Sequence, residues 1–479
     1  MEIAINQLRS GKSPGLDGIT NEILKKAGAL FVPLLIKLFN TILKTGLFPF
    51  SWCNALIVPV YKKHGNIIGP GNYRGIAFLF CVGKVFTKII NTRLSNWAID
   101  EEKLYEVQAG FTKGKSTVDQ VFVLQSLVSK YISKKGGRCY SVFIDFTKAF
   151  DNVSHLHLFY SLIKNGLHGR VIRVLRDMYC KLQSSVQDNR GRISESFTCS
   201  KGTRQGCMLS PLMFIFYMNE LIEYCKENDC KGIFIDEYHP NVPHIFYADD
   251  LVLLGDHIGR LQNVLNNLST FGDKWGLSVN MEKTNFMVFR NGGIVKKNEN
   301  VYYKGELIKH ATYYKYLGIM MSTRLSWSPA QKTLSLQAAK SMHCIKKLNY
   351  ECDFSVSISR EIFEKCTLPV ITYGSEIWGT CVHNDIENVL VQYCRMQLGV
   401  NTNAPGPAVL GECGRHGVYV YCYVKCVKYW LKLTSLPDGN ITKSCYTMLL
   451  RGSRSVQPSA KLGQQNFKIF RKPLPNPSK

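Results

Sequence analysis

At 479 residues, 45% hydrophobic and 20% charged, the chain is long enough for more than one buried core, which excludes a small stapled scaffold and a wholly disordered chain. Sixty Lys and Arg against 35 Asp and Glu leave a formal charge of +25, the mark of a polyanionic partner such as nucleic acid or an anionic membrane surface. Seventeen cysteines without regular spacing, and an N-terminus without an apolar stretch, point to an intracellular chain with reduced thiols and away from secretion.

Residues 22–45 carry helical periodicity; their apolar part, 27–43, is broken by Lys37 and Asn40 and is short for a membrane span. Gly46 and Pro49 end it. ALIVPVYKK predicts a strand, IIGPGNYRGIAF a loop entering another element, and 83–99 and 117–133 amphipathic helices. CYSVFIDF, rich in β-branched and aromatic residues, predicts a buried strand ending near Asp145, with helices following over 152–180 and 211–227. Residues 245–255 form two apolar runs around a turn, 258–275 are helical, and MVF and YKYLGIMM read as strands. From 326 the pattern is mostly helical until NTNAPGPAV, and the last 29 residues, from Arg451, hold seven basic residues and no acid, the composition of a disordered tail. The other basic residues are scattered, as at Lys62, Lys63, Lys113 and Lys115, so the phosphate-tracking element is a folded surface and not an arm.

In HIFYADDLVLLG, Asp249 and Asp250 stand together between apolar runs. Neighbouring side chains on a strand face opposite ways, so a shared site for both requires a turn at the pair, although Asp-Asp is a poor turn dipeptide. Adjacent carboxylates repel unless a cation neutralises them, and Mg²⁺ is the natural one. Such a site needs a further carboxylate, for which Asp145, closing the strand YSVFID, is the best candidate. The alternatives stay open at this level: a solvated hairpin tip for Asp249 and Asp250, a strand end for Asp145, and for Asp151 a helix N-cap, which is the better reading there. GFTKGKST departs from a phosphate loop because Ala109 stands where the first glycine is needed. Cys413, His416, Cys422 and Cys426 lack knuckle spacing and read as core cysteines.

SVFIDFTKAFDNV, GTRQGCMLSPLMF, FYADDLVLLG, WGLSVNMEKTNFMVF and YKYLGIMMS occur in an order that resembles the palm motifs of reverse transcriptases of LINE-type, non-LTR retrotransposons. KSPGLDGIT, NYRGIAFLFCVGKVFTKIINTRL and QAGFTKGKSTVDQ are similar to the upstream fingers motifs of that family, and LPVITYGSEIWG to its segment beyond the palm. The resemblance implies an α+β right-hand polymerase: an N-terminal fingers extension over 1–42, fingers and palm over 43–321 with an antiparallel palm sheet, a helical thumb over 322–400, a helical region over 401–450 and the basic tail over 451–479.

It further implies RNA-directed DNA polymerase activity on an RNA template and DNA primer with dNTPs, without a membrane, in the nucleus or a cytoplasmic ribonucleoprotein. Asp145 and Asp249 would bind two Mg²⁺, or Mn²⁺ as a substitute, and Asp250 would complete the cluster. By the same resemblance Phe150 is a steric gate against the ribose 2′-hydroxyl, or else a core ring. Gln205 and Gly206 lie beneath the nucleotide and template base, and Arg74 pairs with triphosphate oxygens or makes a structural salt bridge. Lys283 is a general acid or a nearby charge, and Tyr316, Leu317 and Gly318 are the primer grip. Thr112 departs from the family's usual Arg, and Ala77 and Phe80 from small hydroxyl residues. The endonuclease domain usual upstream is absent from the sequence, which suggests a truncated reading frame, and a catalytically decayed nucleic-acid-binding remnant is the competing expectation. An RNA-templated RNA polymerase is disfavoured by Phe150.

Overall fold

Arg138–Ile144 is buried at six of its seven positions, which is why its sequence is an unbroken apolar run with one small polar residue, Ser141, inside it. In the computed structural model, which describes residues 1–63 and 65–454, this strand is the middle of a five-stranded sheet. It pairs antiparallel with Asp250–Gly255 on one side and Asn285–Arg290 on the other; His244–Tyr247 and Lys309–His310 form the edges. Among the described residues no helix is long and apolar enough to cross a membrane.

The chain divides into two compact units. The sheet belongs to the second, which comprises 114–144, 230–265 and the chain from Met281 onward. Helix Thr117–Ile132 opens on a reciprocal capping box between Ser116 and Asp119 and buries a continuous run from Asp119 to Val128. Asp119 also accepts from Lys432 Nζ at 2.6 and 2.8 Å and from the Tyr429 hydroxyl at 3.0 Å, which ties helix Val418–Ser435 to this helix. Cys422 and Cys426 are fully buried in helix Val418–Ser435, as core cysteines.

The first unit comprises 1–113, 145–229 and 266–280. Its four-stranded sheet runs in the order Tyr73–Phe78, Asn54–Tyr61, Gln183–Val186, Phe197–Thr198. Helix Ser210–Glu227 is buried on nearly every face, the pattern of a core helix, and His155–Lys164 packs on it through Ser161 Oγ, which donates to the Phe216 carbonyl at 2.8 Å.

Several expectations are corrected. The helix expected over 152–180 is two, His155–Lys164 and Gly169–Cys180, parted at Gly166, whose φ of 98° no ordinary helical residue adopts. Asp151 is not an N-cap: it lies in the short 3₁₀ turn Ala149–Asn152, and the helix is capped by Ser154, whose hydroxyl accepts from the His157 N–H at 3.4 Å. Arg451 to Arg454 finish helix Ile441–Arg454, and the rest of the expected tail, 455–479, lies outside the described residues.

Candidate active site

The aspartate pair is built by a hairpin whose register is one residue off the sequence expectation. Tyr247 pairs with Asp250, so the two-residue loop is Ala248–Asp249, and Asp250 is the first residue of the strand. Ala248 takes φ 58°, a conformation that glycine adopts freely and that costs alanine about 1 kcal/mol. The turn thereby separates the two carboxylates: Asp249 is half-buried in the loop, and Asp250 is exposed on the strand. Two like charges are adjacent without sharing a strand face.

A second hairpin stands in the same unit. Tyr313–Tyr316 pairs with Ile319–Ser322 through the loop Leu317–Gly318, both at positive φ, the geometry of a type I′ turn. A Cβ at Gly318 would lie 3.0 Å from the Tyr373 ring, and the Tyr373 hydroxyl donates to the Leu317 carbonyl at 2.8 Å and lies 3.1 Å from Thr117 Oγ1. Tyr316 is buried against Phe143, 5.5 Å between ring centroids, and its phenol pKa is pushed well up, by burial first and by the charge of Asp250 second. Tyr316, the first of the expected grip residues, therefore feels the charge of Asp250. Lys283 is exposed ahead of strand Asn285–Arg290, and its carbonyl accepts from Asn285 Nδ2 at 2.7 Å. Sequence reasoning missed Tyr373 and Thr117; each lies inside a motif it had quoted, but nothing local marks their contact.

In the first unit, Asp145 follows directly in the chain after Ile144, the last residue of strand Arg138–Ile144. Asp145 is half-buried, and its carbonyl accepts from the Asn280 N–H at 2.7 Å. Phe150 stacks on Phe214, centroids 4.1 Å apart and planes at 22°, and meets Phe111 edge-on at 6.2 Å, which fixes the ring from two sides. The segment carrying RQG is stitched to the turn 149–152: Gly202 N–H donates to Val153 O at 2.8 Å, Thr203 N–H to Phe150 O at 2.8 Å, and Gln205 Nε2 to Asp151 Oδ1 at 2.9 Å. Gly206 takes φ 100°, which disfavours any side chain there, and a Cβ would press the Ala77 carbonyl at 3.0 Å. Arg204 donates to the Trp52 carbonyl at 2.9 Å and so serves the fold. A cavity of about 250 Å³ opens here, lined by Ala77, Asp151, Gln183, Lys201 and Gln205 among others. Arg74 is exposed on strand Tyr73–Phe78 and makes no ion pair among the described residues, which removes the structural salt bridge as its explanation.

Carboxylate oxygens are the donors Mg²⁺ takes, usually one or two carboxylates completed by substrate phosphates and water; Asp249 in the loop and Asp250 on the strand each offer such oxygens. Among the described residues no group of three or more His, Cys, Asp or Glu side chains stands ready to hold a metal ion.

The chain mixes helices with a largely antiparallel five-stranded sheet, and the hairpin at one edge of that sheet carries the two adjacent carboxylates. Residues 61–321, more than half of the chain, match the family "Reverse transcriptase (RNA-dependent DNA polymerase)", and the chain belongs to that family. It is 28% identical over 406 residues to a probable RNA-directed DNA polymerase from transposon BS of Drosophila melanogaster, covering 81% of this chain and 42% of that one. It is 24% identical over 404 residues to the RNA-directed DNA polymerase from mobile element jockey of Drosophila funebris, covering 82% and 42%. Similarity extends at 23% over 371 residues to the Pol polyprotein of type-1 retrotransposable element R2 from Popillia japonica, covering 76% and 49%. The chain thus spans less than half the length of these curated relatives. A solved telomerase chain from Candida albicans, in complex with a fragment of telomeric RNA, aligns at a TM-score of 0.41 and 12% identity, over 84% of this chain and 64% of that one.

Proposed function

We propose that the chain is an RNA-directed DNA polymerase that extends a primer 3′-hydroxyl with deoxynucleotides on an RNA template, with Asp145, Asp249 and Asp250 as its carboxylates. The observation that supports this most is the match of residues 61–321, which hold all three aspartates, to the reverse transcriptase family. Two Mg²⁺ ions, when bound, would supply charge neutralisation for the attacking 3′-oxygen and the departing pyrophosphate.

The remaining work falls to side chains of this chain. Phe150, braced by Phe214 and Phe111, presents a rigid edge that a 2′-hydroxyl would meet, which favours dNTPs. Gly206 and Ala77 keep the surface beside the cavity flat enough for a base to approach. Arg74, exposed on its strand, serves the triphosphate, and Lys283 lends positive charge or a proton to the leaving group. The loop Leu317–Gly318, braced by Tyr373, holds the primer end. In this reading the thumb, 322–400, comprises the helices from Ser328–Cys352 to Asn384–Leu398, and the net charge of +25 serves the RNA and DNA backbones.

Primer extension on an RNA template with dNTPs and Mg²⁺ tests the proposal, run beside a salt titration of RNA binding. Synthesis abolished in Asp145→Asn supports it. Salt-sensitive RNA binding with no synthesis by the unaltered chain would instead identify a nucleic-acid-binding remnant, a reading motivated by Thr112, whose hydroxyl is turned to the Gln108 and Gly110 carbonyls at 3.5 and 3.3 Å.

A further inference from the structure

Asp151 is an acid without a structural task of the usual kind. Ser154 caps the helix that follows, and Asp151 lies exposed in the 3₁₀ turn directly after Phe150. Its backbone is nonetheless held tightly. Its N–H donates to the Lys148 carbonyl at 2.9 Å, and its own carbonyl passes so close to Gly202 that a Cβ there would lie 2.7 Å away. One residue on, Asn152 Oδ1 accepts from Lys201 Nζ at 3.1 Å. The carboxylate that this clamped turn presents takes the Gln205 amide nitrogen at 2.9 Å, and both side chains line the 250 Å³ cavity.

We infer that Asp151 is a positioning residue that fixes which end of the Gln205 amide meets the nucleotide. The inference rests on the polymerase reading above. A carboxylate only accepts, so it can engage only the Nε2 end of the amide; a flipped Gln205 would set two acceptors face to face. Gln205 is therefore held with Oε1 on the other branch of the amide, as an acceptor for a donor on the bound nucleotide, a sugar hydroxyl or a base N–H. Phe150 and Asp151 are consecutive, so the turn that aims the aromatic ring also sets the polarity of the amide.

The test is steady-state primer extension by the full chain and its Asp151→Asn, Gln205→Ala and double variants, with thermal unfolding of each. Asn has the same shape but both donates and accepts, so it releases the amide to either orientation. The expected result is a KM for dNTP raised about tenfold in Asp151→Asn, with kcat changed less than about threefold and the unfolding temperature kept. In the Gln205→Ala background the same substitution is expected to change KM less than about twofold, because the two residues act as one unit. Asp151→Glu, which keeps the acceptor, restores part of the loss. An unchanged KM in Asp151→Asn, or an equal rise in the Gln205→Ala background, overturns the inference while leaving the polymerase reading intact. Absence of synthesis by the unaltered chain overturns that reading and this inference with it.

Discussion

Besides the acceptor of the Tyr429 hydroxyl, replacing Asp119 with Ala removes two supports, and these two set the least size of the effect. The first is the capping box, in which Ser116 N–H and Oγ both donate to Asp119 Oδ2 at 2.8 Å; losing such a cap costs about 1 kcal/mol. The second is the ion pair with Lys432 at 2.6 Å. Breaking a fully buried pair costs about 3–5 kcal/mol and an exposed one about 0–1. With the Asp119 side chain 5% exposed and that of Lys432 35%, the pair falls between, at about 2 kcal/mol. The total of about 3 kcal/mol is about a hundredfold in an opening equilibrium. Hydrogen exchange on the full chain reads it directly: helices Thr117–Ile132 and Val418–Ser435 should both lose about a hundredfold of protection, together. Lys432→Met, which leaves Asp119 its Ser116 and Tyr429 partners, should cost less and spare the first turn at Thr117. Loss confined to the first turn of Thr117–Ile132, with Val418–Ser435 exchanging as before, would refute the reasoning that Asp119 joins the two helices.

Three further outcomes follow from the same geometry. Tyr373→Phe removes the donor to the Leu317 carbonyl and the partner of Thr117, worth about 1–2 kcal/mol, and should shorten the product made per primer-binding event without raising the dNTP KM; unchanged product length contradicts the bracing role. Phe150→Val should raise ribonucleotide incorporation relative to deoxynucleotide about tenfold or more, measured by single-nucleotide addition, and an unchanged ratio would mean that the ring is only a core residue. Burial, ahead of the opposing Gly202 carbonyl that accepts from its ring, holds the His155 pKa below the usual 6.5, and burial with the nearby Lys274 charge does the same for His157. The unfolded chain then binds more protons as pH falls below about 6.5, so this contribution to stability is complete above that value and lost on acidification. Urea unfolding between pH 7.5 and about 5 should show the decline, and His155→Gln should flatten it; an identical slope in the variant would contradict the assignment.

The strands were legible because burial on both faces writes itself as uninterrupted apolar runs, as in CYSVFI and MVF, and the boundaries fell within a residue or two at Asn54–Tyr61, Cys81–Asp100 and Thr117–Ile132. The hairpin tip was legible in kind but not in register. Two aspartates flanked by apolar runs look like the loop, whereas cross-strand pairing draws Asp250 into the strand and leaves Ala248, a residue with no turn signature, at positive φ. The cap was misread at Asp151 because Asp and Ser are comparable caps, and only the helix start at His155 decides for Ser154. What no local pattern carries is contact at long separation: Lys432 lies 313 residues from Asp119, Tyr373 lies 56 from Leu317, and Gln205 lies 54 from Asp151.

The central claim is that the hairpin carboxylates serve nucleotide addition, and single-turnover addition of one dNTP to an RNA-templated primer tests it most directly. With Mg²⁺ saturating, the unaltered chain should add the nucleotide and Asp249→Ala should be slower by about a thousandfold or more, with primer-template binding retained. Addition by Asp249→Ala at the rate of the unaltered chain would contradict the account.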